Sequence, residues 1–586
     1  LIVAIIVMLS GFTVGNAQHM GWIVSATWIP FVFNSYLNIS KKKNYIPVFS
    51  TVFFASLLLT GGYFPFFLTT IYSIFVIFAV KIINFYKQKE KSILKNFLLK
   101  NTTLAIIVTL VNIVVILSVF EASQFIPRGE NITLEKALGQ SIEIKGLLTF
   151  IFPYANTFGD ANFWGDEKTV MNSYFGFFSF LILLFGIFIK KDKRQRTFLI
   201  LGIFAFMTAM AHVFPFRRIF YYSLPFFNYF RFPSLFRYFG ILAFAIFVGI
   251  TLSKILKNKL DLKKIKYLFI VVLGVLSFIF ILFSVKYGLK TTISTWLENQ
   301  DKLNFGQTIL IQSIFHTILI ISLLLVLFLT KSIKKLSTFI MLIIIFDMIF
   351  SVQLNSKETI ISIFNPKEIH NKVNKLPKGF PIPDLNKKII DNNDKNGNLH
   401  PLWRNVNYYH KNIAFDGYGP YQLNNFTELE NSVFFNDILN NKLFYFAKNI
   451  QDVHNIDTAF VHNNPQGIII TNNDEILKQK FNKADSNFIK ILQFKPKKIT
   501  VETYNNKKSV LVFMQNKFPA WKAFVDGKET EIFEVNYSLQ AIILEKGKHN
   551  VEFRFVNKKI QFAAYFSAIM YLLLIVLIIF TYFKSK

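Results

Sequence analysis

Four arginines within 21 residues, Arg217, Arg218, Arg231 and Arg237, stand out in a chain that holds only nine. Two lie in "FPFRRIF" and two in "NYFRFPSLFRYFGILA", each pair set among aromatic rings and proline. A guanidinium keeps its proton, and its planar fork pairs with the oxygens of a phosphate. The plainer reading is anchorage, with cations and aromatic rings reaching together to lipid headgroups. Pro225 and Pro233 stiffen the turn that presents Arg231 and Arg237, which makes those two the better pair for holding an anion.

Carboxylates are the other side chains that could do chemistry, as acceptors of a proton. Glu121 closes an apolar run, and "TFGDANFWGDEKT" carries Asp160, Asp166 and Glu167 among glycines and aromatic rings. Gly-Asp pairs are also ordinary turns, and Glu121 also reads as a solvated helix end. Their spacing matches no specific metal motif, so no metal site is assigned, and a divalent cation on the acidic loop stays open. His19, after "GNAQ", can hydrogen-bond a phosphate or sugar, or simply end a helix. Asp347 in "LIIIFDMIF" lies inside an apolar run, where an ionisable group is a functional hypothesis by default. It sits about two turns from the end of that run, so it can reach the surface at low cost. His316 and Asn112 fit helix–helix contacts.

These residues must be positioned by a membrane scaffold. The 586 residues are 53% hydrophobic and only 17% charged, too little polar surface for a soluble protein of this size. Apolar runs fall at 1–14, 21–39, 46–60, 64–86, 102–120, 174–189, 197–213, 236–253, 266–285, 309–330, 336–353 and 561–583, predicting a polytopic α-helical membrane protein of about 11–12 spans. The net charge of +31 is spread over short lysine clusters rather than one face, which argues against nucleic acid as a partner. Those clusters, at 41–43, 87–100, 190–196, 254–266, 331–335 and the "KSK" tail, fall at every second connection. The positive-inside rule makes them cytoplasmic and places the arginine loop outside. The chain has no cysteine, so neither disulfides nor thiolate metal sites are available. It opens at Leu1 inside an apolar run, and the expectation is a piece lacking its true N-terminus.

Three regions follow: a multi-span domain at 1–353, an extracytoplasmic domain at 354–560, and a final helix with its tail at 561–586. The middle region is rich in Asn, Lys and Asp and reads as α/β, ending in a β-sandwich-like module. "WKAFV" and "TEIFEV" flank the turn "DGK", a strong hairpin signal that puts Trp521, Ala523 and Val525 on one face.

The stretches "GNAQHMGWIVSATWIPFVF", "LTGGYFPFF", "NSYFGFFSFLILL", "FRFPSLFRYFGI" and "NKFPAWKAFVDGKETEIFEVNYSLQAIILEKGKHNVEFRFV" together resemble the YfhO family of bacterial membrane proteins. That family is similar to C-type polytopic glycosyltransferases. The resemblance implies the bacterial cytoplasmic membrane, a polyprenyl-phosphate-linked sugar as donor and an envelope glycan or lipid as acceptor. It places Arg217, Arg218, Arg231, Arg237 and His19 by the donor phosphate. It also places the catalytic carboxylate in a first outer loop upstream of Leu1. Two other classes stay open: a lipid or glycan transporter, and a scaffold whose β-module binds glycan.

Overall fold

The computed structural model describes residues 1–126, 132–157, 170–257, 259–330, 332–360, 422–439, 441–478 and 487–585, with Asn365, Lys367, His370 and Asn371. The chain forms two compact units. The first comprises Leu1–Val108, Asn131–Ile363 and Leu574–Lys586, and the second Thr109–Glu130 and Phe364–Leu573. The boundary at Ile363 lies ten residues beyond the one the sequence indicated, and 109–130 joins the second unit.

The first unit is a helical bundle. Among the described residues, seven helices are long and apolar enough to cross a membrane: Phe64–Lys87, Lys91–Val111, Pro233–Lys257, Leu262–Tyr287, Phe305–Leu329, Ile333–Ser356 and Lys558–Lys584. These seven are consistent with the expected polytopic bundle, and further expected spans fall on shorter or interrupted helices. The other apolar helices, Ile2–Gly15, Ile46–Thr60, Ile113–Ser123 and Phe177–Phe188, are shorter. A helix of about 12–15 residues covers only ~18–22 Å of a ~30 Å hydrocarbon layer. Two further expected spans, Met20–Leu37 and Lys193–Ala209, carry an internal proline and a charged first turn respectively.

Helix starts are set locally. Asp192 and Asn304 each build a capping box with a glutamine three residues on, so backbone amides that lack helical partners are met from both sides. The lysine-rich turns are tied together in pairs. Lys100 Nζ donates to the Lys42 carbonyl at 2.6 Å, Lys81 binds Ser40, and Lys254 pairs with Asp192 at 3.0 Å. Deeper in the bundle Lys193–Ala209 and Arg237–Lys257 interlock through glycines. A Cβ on Gly202 would lie 2.2 Å from the Phe244 ring, and one on Gly240 2.6 Å from Phe206.

The second unit is mainly β. Strands β1 (Phe444–Phe446), β2 (Asn449–Asp452) and β3 (Ile468–Thr471) precede β4 (Phe488–Lys495), β5 (Lys498–Asn505) and β6 (Ser509–Asn516). Then come β7 (Trp521–Val525), β8 (Lys528–Thr530), β9 (Phe533–Val535), β10 (Leu539–Leu544) and β11 (Gly547–Phe555). A four-stranded sheet, β1-β6-β10-β9, faces a five-stranded one, β4-β5-β11-β7-β8. Their inner residues, among them Val501, Leu511, Phe513, Ala523 and Phe553, form one buried core. The parallel pair β2–β3, joined through the helix Thr458–Asn463, supplies the α/β element expected of this region. The hairpin at Asp526-Gly527 is present, both residues at positive φ as a two-residue turn requires. Trp521 stands edge-on to Phe513 at 5.9 Å between the sheets.

Candidate functional site

The first unit gathers the arginine loop against the start of the Phe64–Lys87 helix. Gly61 and Gly62 let the preceding turn lie directly on the helix Met20–Leu37. A Cβ on Gly61 would meet Ser25 backbone at 2.9 Å, and Gly62 holds φ +101°. Ser25 Oγ accepts from the Tyr63 amide at 3.0 Å, which fixes the Tyr63 ring beside the loop. From the other side the Tyr72 hydroxyl donates to the Pro225 carbonyl at 3.1 Å. Phe226 and Phe232 both sit in the left-handed region, φ 65°, an unusual conformation for bulky residues that costs about 1–3 kcal/mol each. The surrounding packing holds that strain on either side of Arg231.

The result is a shallow recess, its about 380 Å³ of empty space including open solvent at the mouth. Tyr63, Phe66 and Leu68 line one wall, Phe227, Phe230 and Phe232 another, and Phe236 and Phe239 the side toward the Arg237–Lys257 helix. Arg217 and Arg231 are its cations. Arg217 is only 2% exposed. Its Nη2 donates to the carbonyls of Phe227 at 2.8 Å and Phe230 at 2.6 Å, while its Nη1 is buried with no hydrogen-bond partner among the described residues. Burial lowers the Arg217 pKa to about 10, which leaves it charged at neutral pH. Arg231 is exposed over the Phe232 ring, 5.7 Å from its centroid. Both charges act on the Tyr63 hydroxyl: burial raises its pKa and the two guanidinium groups pull it back.

The expected pairing of Arg231 with Arg237 is not what the structure builds. Arg237 is fully buried. Its Nε donates to the Asn172 carbonyl at 3.0 Å and its Nη1 to Val170 at 2.6 Å and Ser234 at 3.2 Å, with the Phe12 ring beneath. Its donors are spent on holding the 170–174 backbone, because that segment has no strand or helix of its own to satisfy those carbonyls. Arg218 is exposed on the helix Phe216–Ser223 and lines no part of the recess. His19 stacks on Trp22 at 4.1 Å, and Trp22 meets Tyr63 and Phe232, so the histidine stands one ring away from the recess. Tyr63 was missed in the sequence reading; its only signal was the "GGY" turn ahead of a proline-led helix.

The carboxylates do not gather at the recess. Glu121 belongs to the second unit, where both its oxygens accept from Asn557 at 2.9 Å. Asp160, Asp166 and Glu167 lie outside the described residues. Among the described residues no three His, Asp or Glu side chains are placed to hold a metal ion. Asp347 caps a neighbouring helix instead of reaching a surface. The Tyr174 hydroxyl donates to its Oδ1, and the Phe178 amide, in the first turn of Phe177–Phe188, donates to Oδ2 at 3.4 Å. His316 stacks on Phe177 at 4.0 Å, a helix–helix contact as its sequence context indicated.

Seven membrane-length helices among the described residues, with a strand-rich C-terminal domain, define a polytopic membrane protein. Residues 462–584, the later strands and the final helix, match the family model described as bacterial membrane protein YfhO. No curated protein and no solved structure matches the chain.

Proposed function

We propose that the protein is a membrane glycosyltransferase that moves a sugar from a polyprenyl-phosphate carrier to an envelope glycan or lipid at the outer face of the bacterial cytoplasmic membrane. The observation that carries this reading is the buried Arg217 guanidinium, its Nη1 unpartnered, in a recess walled by aromatic rings with Arg231 at hand. An unpaired cationic donor under apolar cover is costly unless an anion meets it. A lipid phosphate supplies both the charge and a tail that fits apolar walls. In the transfer, the bond between the anomeric carbon and the phosphate oxygen breaks while the acceptor oxygen bonds to that carbon. The acceptor proton passes to a carboxylate, and the carrier leaves with added negative charge. Arg217 and Arg231 stabilise that charge, and Tyr63 can donate to it as a neutral phenol. Arg237 acts one step back, holding the 170–174 backbone.

The test is transfer from a lipid-linked sugar by full-length protein in vesicles. Arg231→Ala removes an exposed charge and leaves the buried carbonyl contacts intact. Arg217→Lys keeps the charge but replaces the planar fork with a single nitrogen, which cannot offer a paired donor to the phosphate. Arg217→Lys should lower donor affinity or turnover by about 2–5 kcal/mol, Arg231→Ala, at an exposed charge, by about 0.5–1 kcal/mol, and Arg218→Ala should leave both unchanged. If folded Arg231→Ala and Arg217→Lys proteins keep wild-type affinity and turnover, the loop is a lipid anchor.

A further inference from the structure

We infer that the β4–β5 hairpin is a foot that seats the second unit on an anionic lipid surface. This does not rest on the glycosyltransferase reading. β4 is the edge of the five-stranded sheet and exposes a row of apolar side chains, with Ile491 45%, Leu492 51% and Phe494 44% exposed. Their partners across the strand pair are not like them: Phe494 pairs with Ile499 and Ile491 with Val501, both of which are buried. The four-stranded sheet therefore covers β5 and stops short of β4. A bulge between Ile491 and Gln493 leaves Leu492 without a cross-strand partner and turns the strand outward. Edge strands are ordinarily protected by charge or cover, and an apolar one left open is a binding surface or an aggregation hazard.

The position of the hairpin identifies the cover. The turn Lys495-Pro496-Lys497 lies beside the end of β11: the Phe555 amide donates to the Lys497 carbonyl at 2.9 Å, and Arg554 is in register with Lys498. Three residues after Phe555, Lys558 begins the last membrane-length helix. Three residues reach at most about 10 Å, so the turn stands within roughly one headgroup layer of the point where the chain meets the bilayer. Lys498 is paired with Glu552 at 2.8 Å, but Lys495 and Lys497 are exposed and carry no ion pair among the described residues. Apolar side chains flanked by unpaired lysines at that depth suit anionic lipid, the rings and aliphatics below the headgroups and the ammonium groups on the phosphates. The ladder also grades the contact. Phe494 is level with Phe553, near the membrane end of β11, whereas Phe488 is level with Lys548 at the far end.

Because the chain has no cysteine, depth can be read one site at a time. Phe494→Cys, Leu492→Cys and, as a control in the β10–β11 turn at the far end of β11, Lys546→Cys carry an environment-sensitive dye. Full-length protein is placed in phosphatidylcholine bilayers with or without phosphatidylglycerol, and spin-labelled lipids serve as quenchers. Quenching at 494 and 492 but not at 546, increasing with phosphatidylglycerol, is expected. Lys495→Glu with Lys497→Glu should shift the seated-to-lifted ratio by roughly 30-fold or more, seen as lost quenching at 494. Equal quenching at 494 and 546 overturns the inference, as does quenching at 494 that ignores both phosphatidylglycerol and the charge reversal.

Discussion

Arg217 and Arg237 show how one residue type takes two roles according to the acceptors around it. Arg237 meets three backbone carbonyls, whereas Arg217 meets two and keeps Nη1 unpartnered. Substituting Arg237 should therefore deplete folded protein, while Arg231→Ala should change donor handling in protein that folds normally. In sequence Arg231 and Arg237 stand alike, each before an aromatic residue in the proline-stiffened turn, and Arg217 ranks below them. His549 offers a prediction in the second unit. Its Nδ1 faces Asp526 Oδ2 and its Nε2 the Glu545 carbonyl, both at 2.8 Å, so both nitrogens must donate and only the imidazolium satisfies both acceptors. Burial opposes the charge, yet the bonds to Asp526 and Glu545 outweigh it and the His549 pKa is raised. The Asp526 pKa is lowered, first by the Asn550 amide and then by His549. A raised histidine stabilises the fold fully below its unfolded pKa, near 6.5, and loses that contribution as pH climbs through the higher folded value. Asp526 contributes above its unfolded pKa, near 3.8, and loses that as pH falls through its lower folded value. The pair should thus be most stabilising between about pH 4 and 6.5. NMR titration of His549 should give a pKa above 6.5, and Asp526→Asn should bring it down; an unchanged midpoint would rule out the pairing.

At the scale of elements, close helix packing depends on the absence of side chains at a few positions. Gly202 and Gly240 admit Phe244 and Phe206, whose rings stack at 5.4 Å. Gly202→Val should cost about 1–3 kcal/mol through overpacking. Gly274→Val, where a Cβ meets nothing within 4 Å, should leave packing unaltered and stands as the control. Thermal unfolding in detergent micelles compares the two, and equal midpoints would deny the interlock. The apolar runs were legible one by one, and their centres coincide with helices throughout the first unit. Their lengths were less legible, because hydropathy reports the apolar run and not where caps and breaks cut the helix. The run 174–189 becomes the twelve-residue helix Phe177–Phe188, opened by Gly176 at φ +99° and capped by Asp347 from another helix.

Across the whole molecule, the alternation of lysine clusters predicts which side each loop takes. Lys546→Cys in the β10–β11 turn should react with an impermeant maleimide on intact cells, and Lys43→Cys only after permeabilisation; the reverse would move the arginine recess to the cytoplasm and end the functional proposal. Composition and periodicity alone determined that this is a polytopic membrane protein, where its helices fall, and that a strand-rich domain with an Asp526-Gly527 hairpin precedes the last helix. These are legible because hydrocarbon thickness, side-chain period and turn chemistry each act on neighbouring residues. Tertiary structure alone decided which arginine holds backbone and which keeps a donor open. It also drew Tyr63 into the recess and withdrew Glu121 to Asn557, 436 positions away. Those outcomes depend on which carbonyls and rings arrive from distant parts of the chain to compete for each polar group, a contest that spacing along the sequence does not record.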